Sequence, residues 1–130
     1  MGHYDSEIKG SERKINALQS RVHETFKRRD ENVHKHREWE SACREFRSQY
    51  DRLAFPGGLE GAYERIVEGD PQSIEAALCF VEVRPFFFRS GYMYKDILRK
   101  LGQAPLKGEE LARYRAVKQA YLAYRASKNT

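Results

Sequence analysis

His36, Glu40 and Cys43 fall four and seven residues apart, so on a helix they share one face, and imidazole, carboxylate and thiolate are all zinc-binding types. A fourth ligand is missing. His34 offers no help, because two residues of helix turn it about 200° away from His36. The expected reading is a seam histidine, a solvent-facing glutamate and a packed cysteine, with no metal. Cys43 and His36 also lack an orienting third group for covalent catalysis. Glu64 and Glu68 share a helix face with Asp70 and Glu75 nearby, a pattern that surface acidity explains without a general acid. No serine elbow, phosphate-cradling glycine loop or dinucleotide fingerprint occurs. The chain is therefore expected to be non-enzymatic and to need no cofactor.

A second concentration of chemistry lies in Arg84 to Leu101, RPFFFRSGYMYKDILRKL, where three phenylalanines and two tyrosines sit among five basic residues around a helix break. Rings that stack on bases and cations that meet phosphates are what a single-stranded nucleic-acid surface requires. Rings also plug helix junctions. The expectation is that Phe86, Phe87 and Phe88 fill such a junction, with Arg84 and Arg89 covering it through their aliphatic stems. A basic rim of Arg84, Arg89, Lys95, Arg99 and Lys100 then remains for binding, with Phe87 as its ring and Arg115 and Lys118 extending it on the last helix. Helix-start N–H groups near Gly91, beside Arg89, could receive an anion.

These residues must be positioned by a chain of 130 residues, a single domain's length. Apolar residues make up 40% and charged residues 33%, so the chain is polar for a compact globule yet carries too many aromatics and aliphatics for general disorder. The net charge of +5 is unevenly spread. Residues 1–54 carry 12 bases and 10 acids, residues 55–83 one base against six acids, and residues 84–130 eleven bases against three acids. The last third can steer an acidic partner. Cys43 and Cys79 have no zinc-like spacing and suggest reduced structural thiols in a cytoplasmic protein. No apolar run approaches 18 residues and no signal-like apolar core opens the chain, so membrane insertion and secretion are not expected.

The elements read as all-α. From Ser11 no proline or glycine intervenes before Pro56. Ile15, Leu18, Val22, Cys43, Phe46, Tyr50 and Leu53 fall on a heptad seam, with Phe26, Val33 and Trp39 continuing it through a weaker middle. As one helix, residues 11–54 would reach roughly 66 Å, more than so small a domain can cover. The segment is therefore either a long helix that pairs with another subunit or a hairpin bent near Asp30 to Asn32. Residues 1–10 suggest a flexible tail. Residues 55–58, with Pro56 and two glycines, read as a turn.

Residues 59–126 form a small module of about four helices. Leu59 to Val67 suggests a short helix ended by Gly69. Asp70 and Pro71 open the next as N-cap and N1, although Leu78 to Val83 is also strand-like. Tyr92 to Leu101 and Gly108 to Ala126 complete the set, and residues 127–130 are expected to fray.

Two functions from different classes follow. The leading one is a helical protein-interaction or adaptor protein, homo-oligomeric or partner-binding through Ile15, Leu18, Val22, Phe26, Val33, Trp39, Phe46 and Tyr50. The alternative is a nucleic-acid-binding accessory protein using the basic C-terminal third.

Overall fold

The structure, a computed structural model, describes residues 2–129. Six helices and no strand occur among them. Helices α1 (Asp5–Arg28) and α2 (Val33–Ala54) run antiparallel, so residues 11–54 adopt the hairpin and not the single rod. The turn comes where the apolar stripe weakens. Asn32 takes extended backbone and its side-chain oxygen accepts from the Lys35 N–H at 2.9 Å, capping α2. Arg21 pairs with Glu45 at 2.6 Å and the Phe26 and Trp39 rings meet edge-on at 6.0 Å across the two helices.

The hairpin covers its own seam. Ile15 is fully buried within the chain, which removes it from any exposed interface, while Leu18, Val22, Trp39, Phe46 and Tyr50 are half-buried. Within the hairpin, the large apolar side chains that stay open lie towards the tip, Phe26 at 46% and Val33 at 68% exposure. The expectation of a flexible tail over residues 1–10 is corrected: α1 starts at Asp5, and Ile8, one heptad before Ile15, is buried. Gly10 weakens the helical signal there, yet burial of Ile8 outweighs the roughly 1 kcal/mol that a helical glycine costs. Tyr4 packs against the core and its N–H lies 3.4 Å from Cys79 Sγ.

Four shorter helices follow: α3 (Ala62–Glu68), α4 (Pro71–Val83), α5 (Ser90–Leu101) and α6 (Gly108–Lys128). Helix α4 is the centre, packed by α1, α3, α5 and α6. Its run Ala76 to Val81 is buried throughout, and the strand alternative for Leu78 to Val83 is replaced by helix. Asp70 caps it, accepting from the Ser73 N–H at 3.0 Å and hydroxyl at 2.7 Å. The wholly buried Phe55, Ile66, Leu78, Phe80, Ile97 and Leu101 come from the turn, α3, α4 and α5, so they close one core at the hairpin's base.

Arg65, the lone base of the acidic segment, donates to the Glu60 and Gly58 carbonyls, each at 3.1 Å, and to Ser73 Oγ at 3.2 Å, pinning the 55–61 turn to α4. Leu59 lies in that turn, three residues before α3 begins. Gly69 adopts a φ of +93° at the end of α3, and a Cβ there would sit 2.9 Å from Pro105 Cγ. Helix α6 has no fully buried residue; Tyr114, Val117 and Tyr121 lie half-buried against the core. It continues through Ser127 and Lys128 instead of fraying from 127, and Thr130 lies outside the described residues.

Candidate functional site

Between α4 and α5 the chain turns through an elbow, residues 84–89, bounded by two non-glycine residues with left-handed backbone, Arg84 at φ 51° and Arg89 at φ 67°. For residues carrying a Cβ this conformation costs about 1–2 kcal/mol each and persists only where the surroundings fix it. The hairpin supplies that fixing. Glu12 accepts from the Phe86 N–H, Asn16 Nδ2 donates to the Phe86 carbonyl at 2.9 Å, and the Tyr50 hydroxyl donates to the Phe88 carbonyl at 2.6 Å. Ser90, itself buried, closes the elbow by accepting from the Phe87 N–H at 3.0 Å.

The three phenylalanines do not act together. Phe87 turns inward, its ring 6.3 Å from Phe80 and 6.1 Å from Tyr50. Phe88 lies edge-on to Phe46 on the hairpin at 5.8 Å and stays 42% exposed. Phe86 stands in solvent at 74% exposure. The junction plug is thus one ring, not three, and Phe87, expected as the binding ring, is its packed member. Pro85 and Phe87 face inward while Phe86 and Phe88 face outward. A period of two across this non-helical tetrapeptide was the signal that could have separated them.

Phe86 lines a cleft of about 400 Å³ together with Arg84, Pro85, Arg89, Ser90, Gly91, Tyr92, Tyr94, Lys95 and Tyr121. Tyr92 is also 74% exposed. The Arg84 guanidinium lies 4.6 Å from the Tyr94 ring centre and 5.3 Å from that of Tyr124. Burial pushes the Tyr94 hydroxyl above its ordinary range although Arg84 opposes the shift, so it remains a neutral donor. The first turn of α5 has no side-chain cap, and the N–H groups of Gly91 and Tyr92 have no acceptor among the described residues.

A second cleft adjoins the first, sharing Lys95 and Tyr121 with it and adding Arg99, Gln103, Tyr114, Lys118 and Arg125. Neither cleft is lined by a carboxylate. Of their cations only Arg99 is paired, with Asp96 at 2.8 Å; Arg84, Arg89, Lys95, Lys118 and Arg125 have no carboxylate within 4 Å among the described residues. Of the other expected binding residues, Lys100 and Arg115 line neither cleft. Tyr92 and Tyr121 were not singled out for binding, whereas Arg125 was read on the basic edge of the last helix; pairing of α5 with α6 is what sets Tyr121 and Arg125 beside Lys95.

The opposite edge of α6 is built differently. Arg113 reaches Glu75 at 2.6 Å and Glu82 at 2.7 Å, and these hydrogen bonds raise its pKa further. Burial pushes the Glu75 carboxyl up, but hydrogen bonds from Arg113, Cys79 and the His3 N–H outweigh it and hold the group below its ordinary value. Burial, with Glu75 beside it, pushes the Cys79 thiol up to about 12, so it stays protonated. His36 lies 3.5 Å from Glu40, and no group of three or more histidine, cysteine or acidic side chains is placed to hold a metal among the described residues. Among the described residues, no helix is long and apolar enough to cross a membrane.

The chain matches no protein-family model, no curated protein and no solved structure.

Proposed function

We propose that this chain is a non-enzymatic adaptor that docks a macromolecular partner on the elbow and the α5–α6 face, with the open hairpin tip as a second contact. The observation that carries this reading is the exposed Phe86 on a backbone held in place by Glu12, Asn16 and Tyr50 between two left-handed arginines. An aromatic held rigid in solvent loses little conformational entropy on binding, and Phe, Tyr and Arg are residue types on which interfaces concentrate their energy. Homo-oligomerisation through the whole seam loses its motive, because the hairpin covers that seam from within. What supports a contact at the tip is the exposure of Phe26 and Val33. Placing a photo-crosslinking residue at position 86, 92, 33 or 109 in the cells that make the protein tests this. Discrete adducts from 86, 92 and 33, with none from 109 on the acidic side, are expected. Equal yields at all four positions would contradict a dedicated surface.

A further inference from the structure

We infer that the partner on the elbow and α5–α6 face is a single-stranded nucleic acid, whose bases stack on Phe86 and Tyr92 while its phosphates run along Arg84, Arg89, Lys95 and Lys118. The inference rests on the docking surface proposed above and names its occupant. The two rings are each 74% exposed and line one cleft with three cations. That cleft shares Lys95 and Tyr121 with a second that is lined by Lys118 and Arg125 and is likewise free of carboxylates.

Charge and rings together select the ligand. An apolar partner would desolvate five cations that have no carboxylate within reach, at a cost several times that of burying neutral groups. An acidic peptide would satisfy the cations and leave the two open rings without use. A duplex hides its base faces inside the stack, so rings standing at the cleft mouth cannot stack on them. A single strand offers a negative charge at every nucleotide and an aromatic face on every base, the alternation that this surface matches. The open N–H groups of Gly91 and Tyr92 at the start of α5 add donors on the same side.

The test is fluorescence anisotropy of the full chain with labelled 20-mers of oligo-dT and oligo-U. Duplex DNA and poly-glutamate serve as competitors, and salt is varied. Single strands should bind, with log K falling against log salt at a slope of about −3, the value for roughly four to five phosphates met by cations. Phe86→Ala and Tyr92→Ala should each weaken binding about tenfold, the range of one lost base stack. Lys95→Glu with Lys118→Glu should weaken it at least as much, whereas Lys9→Glu with Arg13→Glu on the hairpin should change it less than threefold. Circular dichroism confirms folding of each variant. Absence of single-strand binding at low salt, loss no greater from the ring variants than from the hairpin variant, or preference for duplex would each overturn the inference. Displacement by poly-glutamate at equal charge concentration would overturn it in favour of an acidic protein partner and leave the docking surface standing. Absence of crosslinks from both 86 and 92 would remove the surface itself.

Discussion

On one edge of α6, Arg113 ends 2.6 Å from Glu75 and 2.7 Å from Glu82; on the other, Lys118 and Arg125 line a cleft with Lys95 and no carboxylate. The same helix thus carries cations in two conditions. Where acids from α4 reach across, the charge is spent on holding two helices together. Where α5 faces α6, the cations of the cleft other than Arg99 have no carboxylate partner among the described residues, and it is their field that the proposed partner would meet. The overall excess of +5 does not distinguish these edges. Pairing does, and pairing between residues 31 and 38 positions apart is set by tertiary contact.

Side-chain truncation sharpens the contrast first at the elbow, where inward and outward rings are adjacent. Phe87→Ala should cost about 2–3 kcal/mol by urea unfolding, because it opens a cavity against Phe80 and Tyr50. Phe86→Ala should cost under about 0.5 kcal/mol, as expected for an exposed side chain. Equal losses would mean that the outer ring is structural after all.

Next comes α6 itself. Arg113→Ala should cost about 2 kcal/mol, because it leaves two partly buried carboxylates without the guanidinium they share. Lys118→Ala should stay within about 0.5 kcal/mol. A Lys118 variant as damaging as the Arg113 variant would erase the distinction between the edges.

The smallest effect is in pH. Because the folded Glu75 carboxyl sits below its ordinary value of 4.5, its contribution is fully present above that pH and is lost as pH falls through the folded value. Thermal unfolding should therefore shift down on acidification below about pH 4.5, and Glu75→Gln should make that decline shallower. An unchanged acid limb in the variant would show that the Arg113 cluster does not contribute to it.

Much of the architecture was legible in local pattern. Asp70-Pro71 announced α4, Pro56-Gly57-Gly58 the end of the hairpin, and the weak seam near Asp30 to Asn32 the bend that became its turn. The start of α1 was not, because Gly10 and the lack of a capping side chain at Tyr4 obscured a heptad position that Ile8 occupies. Candidate site residues Arg84, Arg89, Lys95, Arg99 and Lys118 were visible as a basic rim and do line the two clefts. A period of two separates Phe87 from its neighbours once the segment is read as non-helical, but which phase faces out was not visible, since it depends on the left-handed turns at Arg84 and Arg89 and on hydrogen bonds from a hairpin some 40 to 70 residues away. The contribution of Tyr121 likewise needed α5 and α6 to be set side by side.

The central claim, that the uncompensated face binds and the compensated edge holds the fold, is tested most directly by mapping amide chemical shifts of the labelled chain as oligo-dT is added. The account predicts shifts concentrated at Phe86, Arg89, Gly91, Tyr92, Lys95 and Lys118, with Glu75, Glu82 and Arg113 unmoved. Shifts spread evenly over all basic residues, or centred on the Arg113 edge, would contradict it.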